Sequence, residues 1–174
     1  RGAGVARGAY LHFLNNDTVV LPGWLDQLVA TMGSVPRAGL VGSKLIYPHL
    51  ALQEAGGIVW RDGSASQWGN GRDPWNPSYC TSRDVDYCSA ASILVQKELF
   101  ERLGGFDTRY APAYYEDTDL AIRARRRGWS GSRSPRLRSS RGPRRPRRSS
   151  RGAPARAPRR RSMLPRRGSA GRGD

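Results

Sequence analysis

Three short segments carry side chains whose types and spacing can do chemistry. The first is Asn15-Asn16-Asp17, which follows the mostly apolar run Ala9-Tyr10-Leu11-His12-Phe13-Leu14. In an open α/β sheet, ligands gather beyond the carboxyl ends of the strands, so a carboxylate placed there faces the crevice. Asp17 is a hard oxygen donor flanked by amide oxygens, a set that suits Mg²⁺ or Mn²⁺ held against a diphosphate. Asn and Asp are also ordinary turn residues, and an Asx turn leading into the next element accounts for the same three residues. The second segment is Tyr114-Tyr115-Glu116-Asp117-Thr118-Asp119. Three acids in four positions suit the first turn of a helix, where they offset the exposed amides. Alternatively, one of these carboxylates, held near the aromatic pair, acts as a general base on a hydroxyl nucleophile. The third is Gly104-Gly105-Phe106-Asp107, which reads equally as a helix stop followed by a packed aromatic and as a site loop. His12, inside a strand, and His49, in a turn beside Pro48, read as structural.

The elements that must position these residues follow from periodicity and breakers. A buried strand over 9–14 delivers Asp17 to its polar end. Pro22 opens a helix whose Trp24, Leu25, Leu28, Val29 and Met32 recur at helical spacing, with Gly33 as its stop. A second strand covers 39–47 and is closed by Pro48. Residues 55–77, rich in Gly, Asp, Asn, Trp and Pro, form a long loop with one strand candidate at 57–60, and such loops are often functional. An extended region over 85–95 has small residues, Ser89-Ala90-Ala91-Ser92, in its middle. A short helix over 97–103 ends at Gly104-Gly105. The last helix begins near Glu116, carries Arg123, Arg125, Arg126 and Arg127 toward its end as its dipole favours, and stops at Gly128. Strands alternating with helices predict an α/β fold.

Charge divides the chain in two. The 174 residues carry a formal charge of +16, of which residues 1–129 hold +1 and residues 130–174 hold +15. The second part contains sixteen Arg, no Lys and no aromatic residue, and only Leu137, Met163 and Leu164 are large and apolar. Nothing there offsets the entropy of ordering the chain, so 130–174 is expected to be a disordered tail. Arginines spaced by Ser, Gly and Pro neutralise phosphates, which makes nucleic acid a partner through the tail, although no ring is present for base stacking. Arg, Gly, Pro, Ala and Ser together are also what an out-of-frame reading of a GC-rich gene yields, and the abrupt change after Trp129 favours that account. No apolar run approaches the ~20 residues of a transmembrane helix, and residues 1–9 lack the apolar core of a signal peptide. Cys80 and Cys88 match neither redox nor zinc spacing, and a reduced, cytoplasmic protein is expected.

Taken together, LNNDT, VDYCSAASILV, LFERLGGFD and YYEDTDLAIRARRRG, in this order and at these spacings, closely resemble a GT-A-type family-2 glycosyltransferase. The subgroup nearest in appearance is the bacterial rhamnosyltransferase-like enzymes of surface-polysaccharide synthesis. The resemblance covers about residues 3–129. It implies a partial GT-A, Rossmann-like sheet with flanking helices, followed by the Arg-rich tail. It places Asp17 as ligand of a divalent cation, Mg²⁺ or Mn²⁺, that bridges the donor's phosphates, with Asn15 and Asn16 in support. Asp117 becomes the catalytic base, with Glu116 beside it. Ser89, Ala90 and Ala91 become the small-residue segment that lets donor and acceptor approach the backbone, and Gly105, Phe106 and Asp107 the loop that orders the acceptor side. Trp60, Trp68 and Trp75 could offer faces to sugars or simply pack within their loop. The implied reaction is an inverting displacement from a nucleotide-diphosphate sugar to a glycan or lipid-linked acceptor. The implied location is the cytoplasm, at the inner face of the membrane, by peripheral association.

The chain also departs from that pattern. The family's opening strand–helix–strand unit is expected to lie before Arg1, and the stretch that follows the last helix in relatives, often with a His, is replaced by the tail. No His follows His49. The chain by itself is therefore expected to be an active-site fragment and not a competent enzyme. Two other classes compete: a binding module, either a non-catalytic carbohydrate binder or a nucleic-acid binder acting through the tail, and a glycoside hydrolase using Asp17 and Asp117 as its carboxylate pair. Motif order and strand–helix alternation weigh against the last.

Overall fold

A computed structural model of the chain describes residues 2–133 and 139–141, all of which fall in the unit spanning 1–144. In chain order the elements are α1 (Gly2–Val5), β1 (Tyr10–Leu14), β2 (Thr18–Val20), α2 (Trp24–Ser34), β3 (Ala38–Gly42), β4 (Leu45–Ile46), β5 (Leu52–Glu54), β6 (Gly57–Val59), β7 (Ala65–Gln67), β8 (Arg83–Asp84), β9 (Ser92–Gln96), α3 (Lys97–Arg102), α4 (Glu116–Arg126), β10 (Ser130–Arg133) and β11 (Ser139–Arg141). Five strands form the main sheet in the order β1-β9-β3-β10-β8. β9 runs antiparallel to both of its neighbours, β10 is parallel to β3, and β8 is antiparallel to β10. A second sheet has the order β2-β11-β4-β5, and β6 and β7 form a hairpin.

The main sheet is covered on both faces, which is why β3 and β9 read as continuous apolar runs instead of alternating ones. Successive side chains point to opposite faces. Leu40, Ile93 and Val95 pack with Leu99 and Phe100 of α3 and with Leu120 and Ala124 of α4. Val41 and Leu94 pack with Leu28 and Met32 of α2 on the other face. Leu28, Leu40, Leu99 and Leu120 are almost fully buried, each contributing about 2 kcal/mol of transfer free energy. On α2 only part of the apolar stripe is covered: Leu25 and Val29 remain exposed.

Three expectations change. The 39–47 strand is two strands in two sheets, because the chain leaves the main sheet after Gly42. Ser43 closes the pairing through its amide, 3.0 Å from the Ser92 carbonyl, and buried Lys44 then reaches the Pro74 carbonyl at 2.8 Å. The 85–95 extended region is a strand only from Ser92, and 85–91 is the loop that enters it. The boundary at 129 also moves, since Ser130–Arg133 form β10 inside the main sheet and Ser139–Arg141 form β11 in the second. The middle of β10 sits in a tight slot that suits its small residues. A Cβ on Gly131 would stand 3.1 Å from the Val85 carbonyl oxygen, and Ser132 is 1 % exposed. The rest of the expected tail lies outside the described residues. Neither Cys80 nor Cys88 is in a disulfide, and no helix among the described residues is long and apolar enough to cross a membrane.

Candidate active site

The Asn15-Asn16-Asp17 turn leaves the end of β1, as expected, and is tied down by backbone bonds. Asn15 N–H donates to the Ala91 carbonyl at 3.0 Å, and Thr18 N–H donates to the Asn15 carbonyl at 3.2 Å. The turn therefore closes through its backbone. Asp17 Oδ1 is buried and takes no hydrogen-bond partner among the described residues. A buried carboxylate oxygen left in this state costs free energy, unlike the Asx turn that would satisfy it.

Beneath the turn, His12 is structural. Its Nε2 lies 3.3 Å from Ser92 Oγ, its ring meets Trp24 edge-on with centroids 4.6 Å apart, and burial pulls its pKa down to about 4. The folded state therefore holds this ring neutral while the unfolded chain, near 6.5, still binds a proton. Stability is expected to fall as pH drops from about 6.5 to about 4 and to lose no more from this group below that. Denaturant midpoints across this window should show a slope that His12→Gln reduces. Equal slopes in the two proteins would remove His12 from the account.

The 89–91 segment is where the site converges. Ser89 N–H donates to Glu54 Oε1 at 3.2 Å, Ala90 N–H donates to Asp117 Oδ2 at 3.0 Å, and the Ala91 carbonyl receives Asn15. Asp117 Oδ1 also accepts from Thr118 N–H at 2.6 Å and Thr118 Oγ1 at 3.2 Å. These donors fix the carboxylate in one orientation, and a lone pair is left over for a further proton or donor. The chain enters α4 through Tyr115 in the left-handed region, φ 78°, with no side-chain cap. Glu116 Oε2 is buried without a partner among the described residues, whereas Asp119 is committed to Arg123.

Within the Gly104–Asp107 loop the residues play separate structural parts. Gly104 and Gly105 both have φ +76°, a conformation that disfavours side chains. Phe106 packs in an aromatic trio, 4.8 Å from Phe13 and 5.3 Å from Phe100. Asp107 is chelated by Arg109, whose hydrogen bonds hold its carboxyl down at about 2. Each side chain thus has partners of its own. The loop is instead tied to α4 by Arg123, which donates to the carbonyls of Leu103 at 2.7 Å and Gly105 at 2.9 Å and to Asp119 at 2.7 Å.

Glu54, Tyr87 and Arg123 were not legible as site residues. Glu54 ends a three-residue strand and is 1 % exposed, and Tyr87 lies buried close by. Burial, and after it the nearby carboxylates of Glu54 and Asp117, pushes the Tyr87 phenol well above its ordinary range. The only sequence trace is Gly56-Gly57 after Glu54, since a Cβ on Gly57 would stand 1.9 Å from the Tyr87 ring. Of the tryptophans, Trp68 packs against Tyr79 and beneath Arg83. Trp60 and Trp75 are 54 % and 45 % exposed.

No group of three His, Cys, Asp or Glu side chains forms a metal cage among the described residues. One buried carboxylate oxygen without a partner, at a strand end, still fits a hard divalent cation. Such cations are commonly held by one or two carboxylates together with substrate phosphates.

The same arrangement of strands and helices occurs in a solved structure, that of GalNAc-T7 with UDP, GalNAc and Mn²⁺. It superposes with a TM-score of 0.62 over 80 % of this chain and 29 % of that one, at 16 % identity. This likeness defines the fold as that of the GT-A glycosyltransferases. No protein-family model matches the chain. Among curated proteins, O-antigen biosynthesis protein RfbC of Myxococcus xanthus is 38 % identical over 130 residues, 71 % of this chain. The N-acetylglucosaminyl-diphospho-decaprenol L-rhamnosyltransferase of Mycobacterium tuberculosis is 31 % identical over 129 residues, 66 % of this chain. The chain spans 10 % of the length of the first and 41 % of the second. The chain therefore carries the GT-A fold and is similar in sequence to a rhamnosyltransferase and to an O-antigen biosynthesis protein over part of their lengths.

Proposed function

We propose that the protein from which this chain comes transfers a sugar from a nucleotide-diphosphate donor to a glycan or lipid-linked acceptor, with inversion, in the synthesis of cell-surface polysaccharide. The observation that carries this reading is the convergence on 89–91: Asn15 bonds Ala91 and Asp117 bonds Ala90, so metal-binding turn and base are built onto one segment. The names of the Myxococcus and Mycobacterium relatives support the polysaccharide setting and, for the second, a decaprenol-linked acceptor.

Asp17 would hold Mg²⁺ or Mn²⁺ through its buried Oδ1, with Asn15 and Asn16 beside it. The bound ion would supply charge stabilisation for the leaving diphosphate. Ser89, Ala90 and Ala91, lacking bulk, leave room for the sugar and the incoming hydroxyl at the backbone. Asp117 takes the proton of the acceptor hydroxyl as its oxygen attacks the anomeric carbon. Its fixed orientation spares the rearrangement a free side chain would need. Glu116 lies one residue from the base with a buried oxygen to satisfy. Gly105, Phe106 and Asp107 act on the acceptor side by holding the loop in shape, through packing and the Arg109 pair. The reaction is placed in the cytoplasm at the inner membrane face.

The test is calorimetric titration of the chain with UDP, dTDP and GDP, with Mn²⁺ and with EDTA. At least one nucleotide is expected to bind only with metal. Asp17→Ala should weaken that binding by about 100-fold, roughly 2.7 kcal/mol. Metal-independent binding, or an unchanged affinity in Asp17→Ala, rejects the assignment.

A further inference from the structure

Asp117 does not hold the 89–91 segment alone. The amides of Ser89 and Ala90 are consecutive, and each is taken by a different carboxylate: Ser89 by Glu54 Oε1, Ala90 by Asp117 Oδ2. The two acids arrive from separate elements, Glu54 from the end of β5 and Asp117 from the first turn of α4. Glu54 is 1 % exposed, in a position where water cannot solvate its carboxylate and protein donors must do so. β5 is pinned in turn by the pairing of Leu45 with Glu54 and by Ala55 N–H on the Trp68 carbonyl at 2.9 Å. Glu54 is therefore carried on a fixed strand. Tyr87 is buried in the field of both carboxylates, and Gly57 opens the space its ring occupies.

We propose that Glu54 is a positioning residue of the transfer site, holding the Ser89 amide so that the adjoining Ala90 amide stays aligned on the carboxylate of Asp117. The peptide planes that carry the Ser89 and Ala90 amides are each rigid and are joined only through the φ and ψ of Ser89, so fixing the first plane limits how far the second can turn. Without Glu54, the Ser89–Ala90 peptide is free to rock, and Asp117 loses the donor that orients Oδ2. The inference rests on the assignment of Asp117 as the base.

Two variants of the full chain test it by amide hydrogen exchange. Glu54→Asp withdraws the carboxylate by one methylene, about 1.5 Å, and should accelerate exchange at both Ser89 and Ala90 about tenfold. Glu54→Gln keeps an accepting oxygen at full reach and should restore most of the Ala90 protection. The amides of Ile93, Leu94 and Val95 should be unchanged in both. With a donor that supports turnover, Glu54→Asp should lower kcat about tenfold with donor KM within twofold, the scale of a lost supporting contact. Ala90 protection that survives Glu54→Asp overturns the proposal, as does loss shared equally with β9 and with Glu54→Gln. Because exchange reports the contacts alone, it tests the positioning role separately from the transferase reading, which stands or falls on metal-dependent nucleotide binding and its loss in Asp17→Ala.

Discussion

Replacing Asp117 by Asn is expected to lower sugar transfer by about 10³-fold while leaving the fold in place, the scale of a lost general base. Asn has the same shape, so the side chain keeps its place beside Thr118 and Ala90. What changes is chemistry at the two oxygens. Oδ1 accepts from Thr118 and Oδ2 from Ala90, and an amide can present its oxygen to only one of them. The other N–H then faces an NH₂ group, a mismatch worth about 1–3 kcal/mol. The side chain also loses the charge that receives the acceptor's proton. The measurement is transfer of a labelled sugar by the purified chain across a panel of nucleotide sugars, with circular dichroism to confirm the fold. A variant that retains the wild-type rate would reject Asp117 as the base. No transfer by the wild type would agree with the expectation that this stretch is not competent by itself.

The second large effect is on stability and comes from a glycine. Gly57→Ala is expected to cost about 3 kcal/mol, because the new methyl would have to share the space of a buried ring. The Cβ would stand 1.9 Å, 2.2 Å and 2.4 Å from three ring atoms of Tyr87. That ring cannot step aside without leaving the neighbourhood of Glu54 and Asp117. The backbone there is equally constrained, since Gly57 N–H bonds the Tyr87 carbonyl at 2.9 Å and the Gly57 carbonyl receives Asp86 at 3.0 Å. In thermal melts the loss corresponds to about 10 °C for a domain of this size. Gly33→Ala, in α2 with open space around its Cβ position, should be neutral or stabilising by up to about 1 kcal/mol. Similar melting temperatures for the two variants would show that Tyr87 is not held where the geometry puts it.

Much of the site was written in local chemistry. Asn15-Asn16-Asp17 could be placed at a strand end because an apolar run stops there, and Glu116-Asp117 at a helix start because acids, then arginines, follow the helix dipole. The Gly104-Gly105 stop held for the same kind of reason. Long-range partners were hidden. Nothing local says that Glu54, thirty-five residues before Ser89, ends beside it, or that Arg123 reaches back to Leu103 and Gly105. Phe106 and Asp107 stand in a site-like motif, yet one packs with Phe13 and Phe100 and the other pairs with Arg109.

The sequence by itself determined where α2, α3, α4, β1 and β9 lie and the positions of the two acidic motifs, because these depend on period, breakers and neighbours within a few residues. Tertiary structure decided the rest. Only the sheet order brings β1 beside β9, and so Asn15 onto Ala91. Only the slot beside β3 turns Ser130–Arg133, with no apolar residue, into a strand of the main sheet. A strand's pairing is set by what lies next to it in space, and packing there outweighs the weak backbone preference of its own residues.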